Sequence, residues 1–316
     1  MSQSFASAND TQEQKASVLE LAKGVYGYVS DYDPNCGFIV GDEGVLVIDC
    51  RATPALAREM IADIKTVTDK PIQYIALTHY HAVRVFGAAA FGVDAIFAST
   101  GTQKLIEERG EADRESEIRR FPRLFKGAEE IPGLTRPRVT FDREITFRFG
   151  GRDVHLRHIG RGHTGGDTVV WLPGDGVVFA GDLVENKCGV YTGDAYMTEW
   201  PDTLERLRDL GAHAMIPGRG AAVTDKQTVS EAIDSTKAWL FAVLGNVEHG
   251  LRQNWSLKQI FETTRERMVP GFGDWPIFEH CLPFDVARAY DELRGHEHPQ
   301  IWTAERDAAL WQALRD

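Results

Sequence analysis

The chain has 316 residues and carries 35 lysines and arginines against 47 aspartates and glutamates, a formal charge of -12. At ~100–200 residues per domain, that length means one large domain or two smaller ones. The acidic balance lacks the broad positive field of a non-specific nucleic-acid binder, and no run of ~18 apolar residues exists to cross a membrane.

The opening MSQSFASANDTQEQKAS has neither a basic region nor an apolar segment, so no secretory signal is read and a cytoplasmic location is expected. Residues 1–19 are polar and aperiodic, as a loosely held tail would be. Short β signals follow at 24–30, 37–40 and 44–49, the last two joined by the turn chemistry of Gly41-Asp-Glu-Gly44. The pattern then predicts a helix over 53–67, with Pro54 in its first turn and Leu56, Met60, Ile61 and Ile64 at helical spacing. Residues 72–77 read as a buried strand, 84–92 as a short Ala-rich helix and 95–98 as another strand. The charged stretch 102–123 has only Leu105, Ile106, Ile118 and Phe121 as an apolar stripe, which predicts a solvated surface helix. Strand patterns resume at 139–141, 145–149, 154–159, 168–172 and 177–180, then a helix near 200–210 and a strand at 214–216. Strands alternating with helices predict an α/β protein, and the glycine-bounded hairpins predict antiparallel or mixed sheets.

From Asp225 the pattern is helical, over 225–251, 256–268, 283–293 and 303–314, with Asp225, Ser256 and Thr303 placed as N-caps. This region, 225–316, holds five of the seven tryptophans. It is expected to pack on the main unit (20–224) as a lid, a pocket wall or a homodimer interface.

Four segments carry candidate chemistry, each a polar residue delivered at the end of a strand. They are Thr78-His79-Tyr80-His81, Gly162-His163-Thr164-Gly165-Gly166-Asp167-Thr168, Phe179-Ala180-Gly181-Asp182-Leu183 and Ile216-Pro217-Gly218-Arg219-Gly220. In extended backbone His79 and His81 project to one side, as two ligands of one metal must. Cys36, Cys50, Cys188 and Cys281 are scattered without a CxxC pair, which fits reduced thiols and leaves the ten histidines as the metal-binding inventory. Of these, His155 and His158 share a strand and read as packed histidines, while His213, His249, His296 and His298 read as surface residues. His280, with Cys281, reaches the pocket if the C-terminal helices fold over it.

With Asp49 in Val-Ile-Asp-Cys, these ordered segments resemble the metallo-β-lactamase superfamily over roughly residues 22–224. The resemblance implies a four-layer αβ/βα sandwich, extended here by C-terminal helices, with a metal at one edge of the two sheets. It implies His79, His81 and His163 as ligands of a first metal site, with Asp182 a fourth ligand or just outside. The chain departs from the family's HxHxDH pattern, which reads His79-Tyr80-His81-Ala82-Val83-Arg84, and from its PGHG-like turn, which carries Arg219 in place of histidine. All three changes fall on the second metal site, so a single divalent ion is expected, zinc first and iron as the alternative. Arg84 and Arg219 together supply the charge of the missing ion, and are expected to clamp Asp182 or to bind an anionic group of the substrate. Asp49 and Asp167 are placed behind the ligands, fixing turns or orienting histidine rings.

Three neutral histidines with an open fourth position suit a catalytic zinc, which lowers the pKa of bound water to ~7 and polarises a carbonyl. The expected activity is hydrolysis of a small-molecule ester, thioester, lactone or amide by a metal-bound hydroxide, with Asp182 handling the water and an arginine steadying the oxyanion. A mononuclear iron oxidoreductase is the alternative enzyme, since two histidines and a carboxylate also suit non-haem iron. A non-catalytic binding protein is the third reading, disfavoured because the first-site histidines are all intact.

Overall fold

The computed structural model describes residue 12 and residues 14–315. Two sheets form its centre. The first has seven strands in chain order, β1 (Ser17–Ala22), β2 (Val25–Val29), β3 (Cys36–Val40), β4 (Val45–Ile48), β5 (Ile72–Ala76), β6 (Ile96–Ser99) and β7 (Val139–Phe141). The second has five, β8 (Glu144–Phe149), β9 (Arg152–Arg157), β10 (Val169–Leu172), β11 (Val177–Glu185) and β12 (Ala214–Arg219), with β12 at one edge and β8 at the other. Both sheets are mixed: hairpins give antiparallel pairs, while β4 to β7 and the β11–β12 pair run parallel. The strand β1 starts at Ser17, inside the stretch expected to be a loose tail, and pairs with β2. The remainder of that expectation, residues 1–11 and 13, lies outside the described residues.

The period of two along each strand builds the layers. Leu46 and Ile48 of β4 face Val170, Leu172, Val177 and Phe179 in a core between the sheets. Their neighbours Val45 and Val47 face outward onto Leu56, Met60 and Ile64 of α1 (Pro54–Val67) and Ile106 of α3 (Thr100–Arg120). On the second sheet, Val169, Trp171, Val178 and Ala180 face outward onto α4 (Trp200–Arg208), α5 (Lys226–Arg252) and α7 (Phe278–Leu293). The order is helices, sheet, sheet, helices. The helix α6 (Leu257–Phe272) packs on α5, and α8 (Ala304–Arg315) closes a small cluster of Phe284, Trp302, Leu310 and Leu314. No described helix is long and apolar enough to cross a membrane.

Two sequence expectations are corrected. Helix α3 is not a solvated surface helix: Arg109, Asp113, Glu117 and Arg120 lie on one face and are all buried. Their partners explain why the charges point inward. Asp113 and Glu117 accept from the backbone N–H groups of Ala82 (2.7 Å) and Val83 (3.2 Å) in the short helix α2 (Ala82–Val85). The second correction is the start of α7, at Phe278 and not Pro283, so the proline lies inside the helix. The helix start at Thr53 is as expected: its hydroxyl accepts from the Leu56 N–H at 3.2 Å.

Candidate metal centre

The site forms where strands of both sheets end. Beyond β5 the chain runs through Thr78 to His81, which precedes α2. Asp49, at the end of β4 with φ 59°, accepts from the Thr78 N–H (2.8 Å) and hydroxyl (2.8 Å) and so fixes that turn. Between β9 and β10, Asp167 accepts from the Thr164 N–H at 2.9 Å and hydroxyl at 2.6 Å, closing the turn that presents His163. Asp182 lies within β11, beside Gly218 of β12, where any Cβ would collide with the Asp182 carboxylate. Gly218→Ala is therefore expected to destabilise the fold by about 1–3 kcal/mol through overpacking, read as a lowered midpoint in urea. The Asp182 Cα is also only 2.8 Å from that Cβ position, so an unchanged midpoint would show that the two strands can shift apart.

One potential ligand atom from each of His79, His81, His163 and Asp182 lies within 4.8 Å of the others, and all four side chains are buried. Asp182 Oδ2 is 3.6 Å from both His79 Nε2 and His163 Nε2, and His163 Nε2 is 2.9 Å from His81 Nδ1. The outer ring nitrogens fix the tautomers. His163 Nδ1 lies 3.0 Å from the carbonyl oxygen of Tyr191, which can only accept, so Nε2 keeps its lone pair. The Thr78 hydroxyl donates to Asp49 and thereby accepts from His79 Nδ1 at 3.0 Å, which leaves the His79 Nε2 lone pair facing inward. His81 Nε2 donates to Asp194 Oδ2 at 3.2 Å, so its Nδ1 is the inward atom. Three imidazole nitrogens and a carboxylate oxygen converge, and His79 Nε2 is buried without a hydrogen-bond partner. A cation satisfies all four at once, and the set fits a divalent ion with affinity for nitrogen and oxygen.

Arg84 is wholly buried and donates to Asp182 Oδ1 and to the carbonyl oxygens of Asn35 and Gly218, the last at 2.8 Å. It also lies 3.5 Å from Asp49 Oδ2. These contacts join its guanidinium to Asp182 and to backbone carbonyls on either side of it. Burial works against the charge of Asp182, but the Arg84 guanidinium, then His79, His163 and Arg219, hold its carboxyl far below the usual carboxylate range. Arg219 sits on β12 with Nη1 donating to the Tyr32 carbonyl at 3.2 Å. Burial pushes the Asp49 carboxyl up to about 6, against the pull of Arg84.

The sequence profile of the Metallo-beta-lactamase superfamily matches residues 29–219, most of the two-sheet body and every group of this site. The chain belongs to that superfamily. It is 25% identical over 233 residues to the metallo-beta-lactamase type 2 of Bacillus cereus, covering 70% of this chain and 82% of that one. Among solved structures, a metallo-beta-lactamase from Pontibacter korlensis is 24% identical with a TM-score of 0.56, over 71% of this chain and 98% of that one. The stereoselective inverting sec-alkylsulfatase Pisa1 from a Pseudomonas species is 15% identical with a TM-score of 0.67, over 89% of this chain and 50% of its own. The two structural likenesses show the fold.

In this superfamily member the sequence-predicted histidines and Asp182 come together. Asp49 and Asp167 touch no ligand ring directly: Asp49 acts through the Thr78 hydroxyl and Asp167 through the turn. His158 Nδ1 bonds the Asp167 carbonyl oxygen at 2.7 Å, the packed role expected of it. His280 is buried with its ring centroid 4.0 Å from that of Phe121. Sequence reasoning missed Asp194, Tyr191 and Thr78. Asp194 and Tyr191 lie in an irregular loop with no periodicity, where a TGDA tetrapeptide (192–195) is the sole signal.

Proposed function

We propose that this protein is a mononuclear metal-dependent hydrolase acting on a small-molecule ester, thioester, lactone or amide, with an arginine in place of a second ion. The observation that carries the reading is the division of Asp182: Oδ1 accepts from Arg84 while Oδ2 faces His79 and His163. A zinc ion held there would acidify a water and polarise a substrate carbonyl. The residues supply the rest. Asp182 Oδ2 would bind the ion or orient the water, and Arg84 keeps that oxygen ionised. Val83, where the family pattern has aspartate, removes one ligand of a second ion, and the Arg84 charge beside Asp182 would repel a second cation. Arg84 is committed to acceptors of its own chain, and Arg219 is likewise buried with one donor on the Tyr32 carbonyl oxygen, so an anionic substrate group would reach Arg219 through its remaining N–H groups. The curated relative named metallo-beta-lactamase supports hydrolysis as the reaction class and leaves the substrate to experiment.

Metal analysis of protein purified without added metal tests this directly. About one zinc per chain, with turnover in a panel of esters, lactones and thioesters, is the expected result. Two metals per chain would defeat the mononuclear reading, and one iron with oxygen uptake would defeat the hydrolase.

A further inference from the structure

The loop between β11 and α4 contains a five-residue strap, 191–195, without regular secondary structure, in which Tyr191 is partly buried and 192–195 are buried. A buried loop must find partners for its backbone polar groups, and every residue of this one is tied. Two ties run to the metal centre: the Tyr191 carbonyl oxygen accepts from His163 Nδ1 (3.0 Å), and Asp194 Oδ2 accepts from His81 Nε2 (3.2 Å). The others run to the C-terminal helical region and to α3. Asp285 Oδ1 of α7 accepts from the Thr192 N–H (2.8 Å) and hydroxyl (2.9 Å), while its Oδ2 accepts from Trp239 Nε1 of α5 (2.9 Å). Trp302 Nε1 donates to the Gly193 carbonyl oxygen at 3.0 Å, and Arg288 Nε to that of Ala195 at 2.7 Å. Arg109 Nη1 of α3 reaches both Asp194 Oδ1 (3.2 Å) and the Pro299 carbonyl oxygen (3.5 Å). Asp285, Arg288 and Trp302 are all buried.

The geometry points to Asp285 and Trp302 as positioning residues of the metal centre, which hold two of its three histidines in orientation through the strap. The C-terminal helices are on this account part of the ligand scaffold. The inference rests on the metal-site reading above. Partners that orient ligand histidines typically change metal affinity by ~10–100-fold, and one step further out the lower end applies.

The test is zinc affinity of the full-length protein at pH 9, by competition with a chromophoric chelator, with the visible spectrum of the cobalt-substituted protein beside it. Asp285→Asn turns one donor toward a donor and is expected to weaken zinc binding by ~10-fold. The milder Trp302→Phe keeps the ring, loses only the N–H, and should weaken binding by a few-fold with a shifted cobalt spectrum. Met60→Ala, a cavity in α1 far from the strap, should lower Tm and leave affinity and spectrum unchanged. If Asp285→Asn does not fold, Trp302→Phe decides. Wild-type affinity and spectrum in the folded variants would overturn the strap, whereas a wild-type protein that binds no ion would overturn the metal centre itself.

Discussion

Replacing Arg84 with alanine is expected to cost about 3–5 kcal/mol of stability, the penalty for leaving buried charges without their partner. Arg84 is completely enclosed, and its removal would strand Asp49 and Asp182 together with the carbonyl oxygens of Asn35 and Gly218. The two carboxylates already repel, since Asp182 is among the influences raising Asp49. Arg84→Lys keeps the charge but not the planar fork that serves several acceptors at once, so an intermediate loss is expected. Chemical denaturation of the ion-free protein measures both. A loss below ~1 kcal/mol for Arg84→Ala would mean that the pair behaves as an exposed one. Depressed acidity also sets a direction with pH. Asp182, held low, adds stability above its unfolded value of ~3.9, and that share is lost as the pH falls toward its folded value.

Zinc affinity is expected to rise about tenfold per pH unit from pH ~6 to ~9 and then to flatten, because one proton must leave His81 before an ion can bind. Burial alone would lower the His81 pKa, but the hydrogen bond to Asp194 and the carboxylates of Asp113, Asp194 and Glu117 outweigh it and push the group up to about 9. Burial lowers His79 and His163, the latter to about 3, so neither competes near neutrality. The extra proton on His81 Nδ1 is donated to His163 Nε2, the 2.9 Å contact. It stabilises the ion-free fold fully below the unfolded histidine value of ~6.5, and the contribution disappears as the pH rises through about 9. Calorimetry in buffers of different ionisation enthalpy should record release of about one proton at pH 7 on zinc binding. Asp194→Asn should flatten the profile, binding more tightly than wild type at pH 6 and less tightly at pH 9. A flat wild-type profile across this range would show that His81 is neutral before the ion arrives.

Much of the fold was legible because it rests on local rules. The apolar runs at Val45 to Ile48 and at Val177 to Ala180 predicted strands, which the structure covers on both faces, and Thr53 with Pro54 predicted a helix start. The four converging groups were legible for a similar reason, since each lies in a strand or in the turn beside one. What could not be read is set by contacts distant in sequence. Asp194 bonds a ring 113 positions earlier, from a loop without pattern. Arg109, Asp113, Glu117 and Arg120 have the spacing and composition of a solvated helix face, and only their buried partners reveal otherwise. A hydrophobic stripe tells which apolar face turns inward. It carries no information about a polar face that does the same.

The four converging groups also come from different halves of the molecule. His79 and His81 follow a strand of the first sheet, while His163 and Asp182 belong to the second, and the 2.9 Å contact between His81 and His163 joins residues 82 positions apart. Such a cluster cannot exist in a nascent half-chain, and closing so long a loop precedes any reward from the contacts it makes. Ion capture is therefore expected to be a late folding event. In a refolding experiment followed by cobalt absorbance, colour should appear only after the halves have docked, and an early chelator should slow neither collapse nor strand formation.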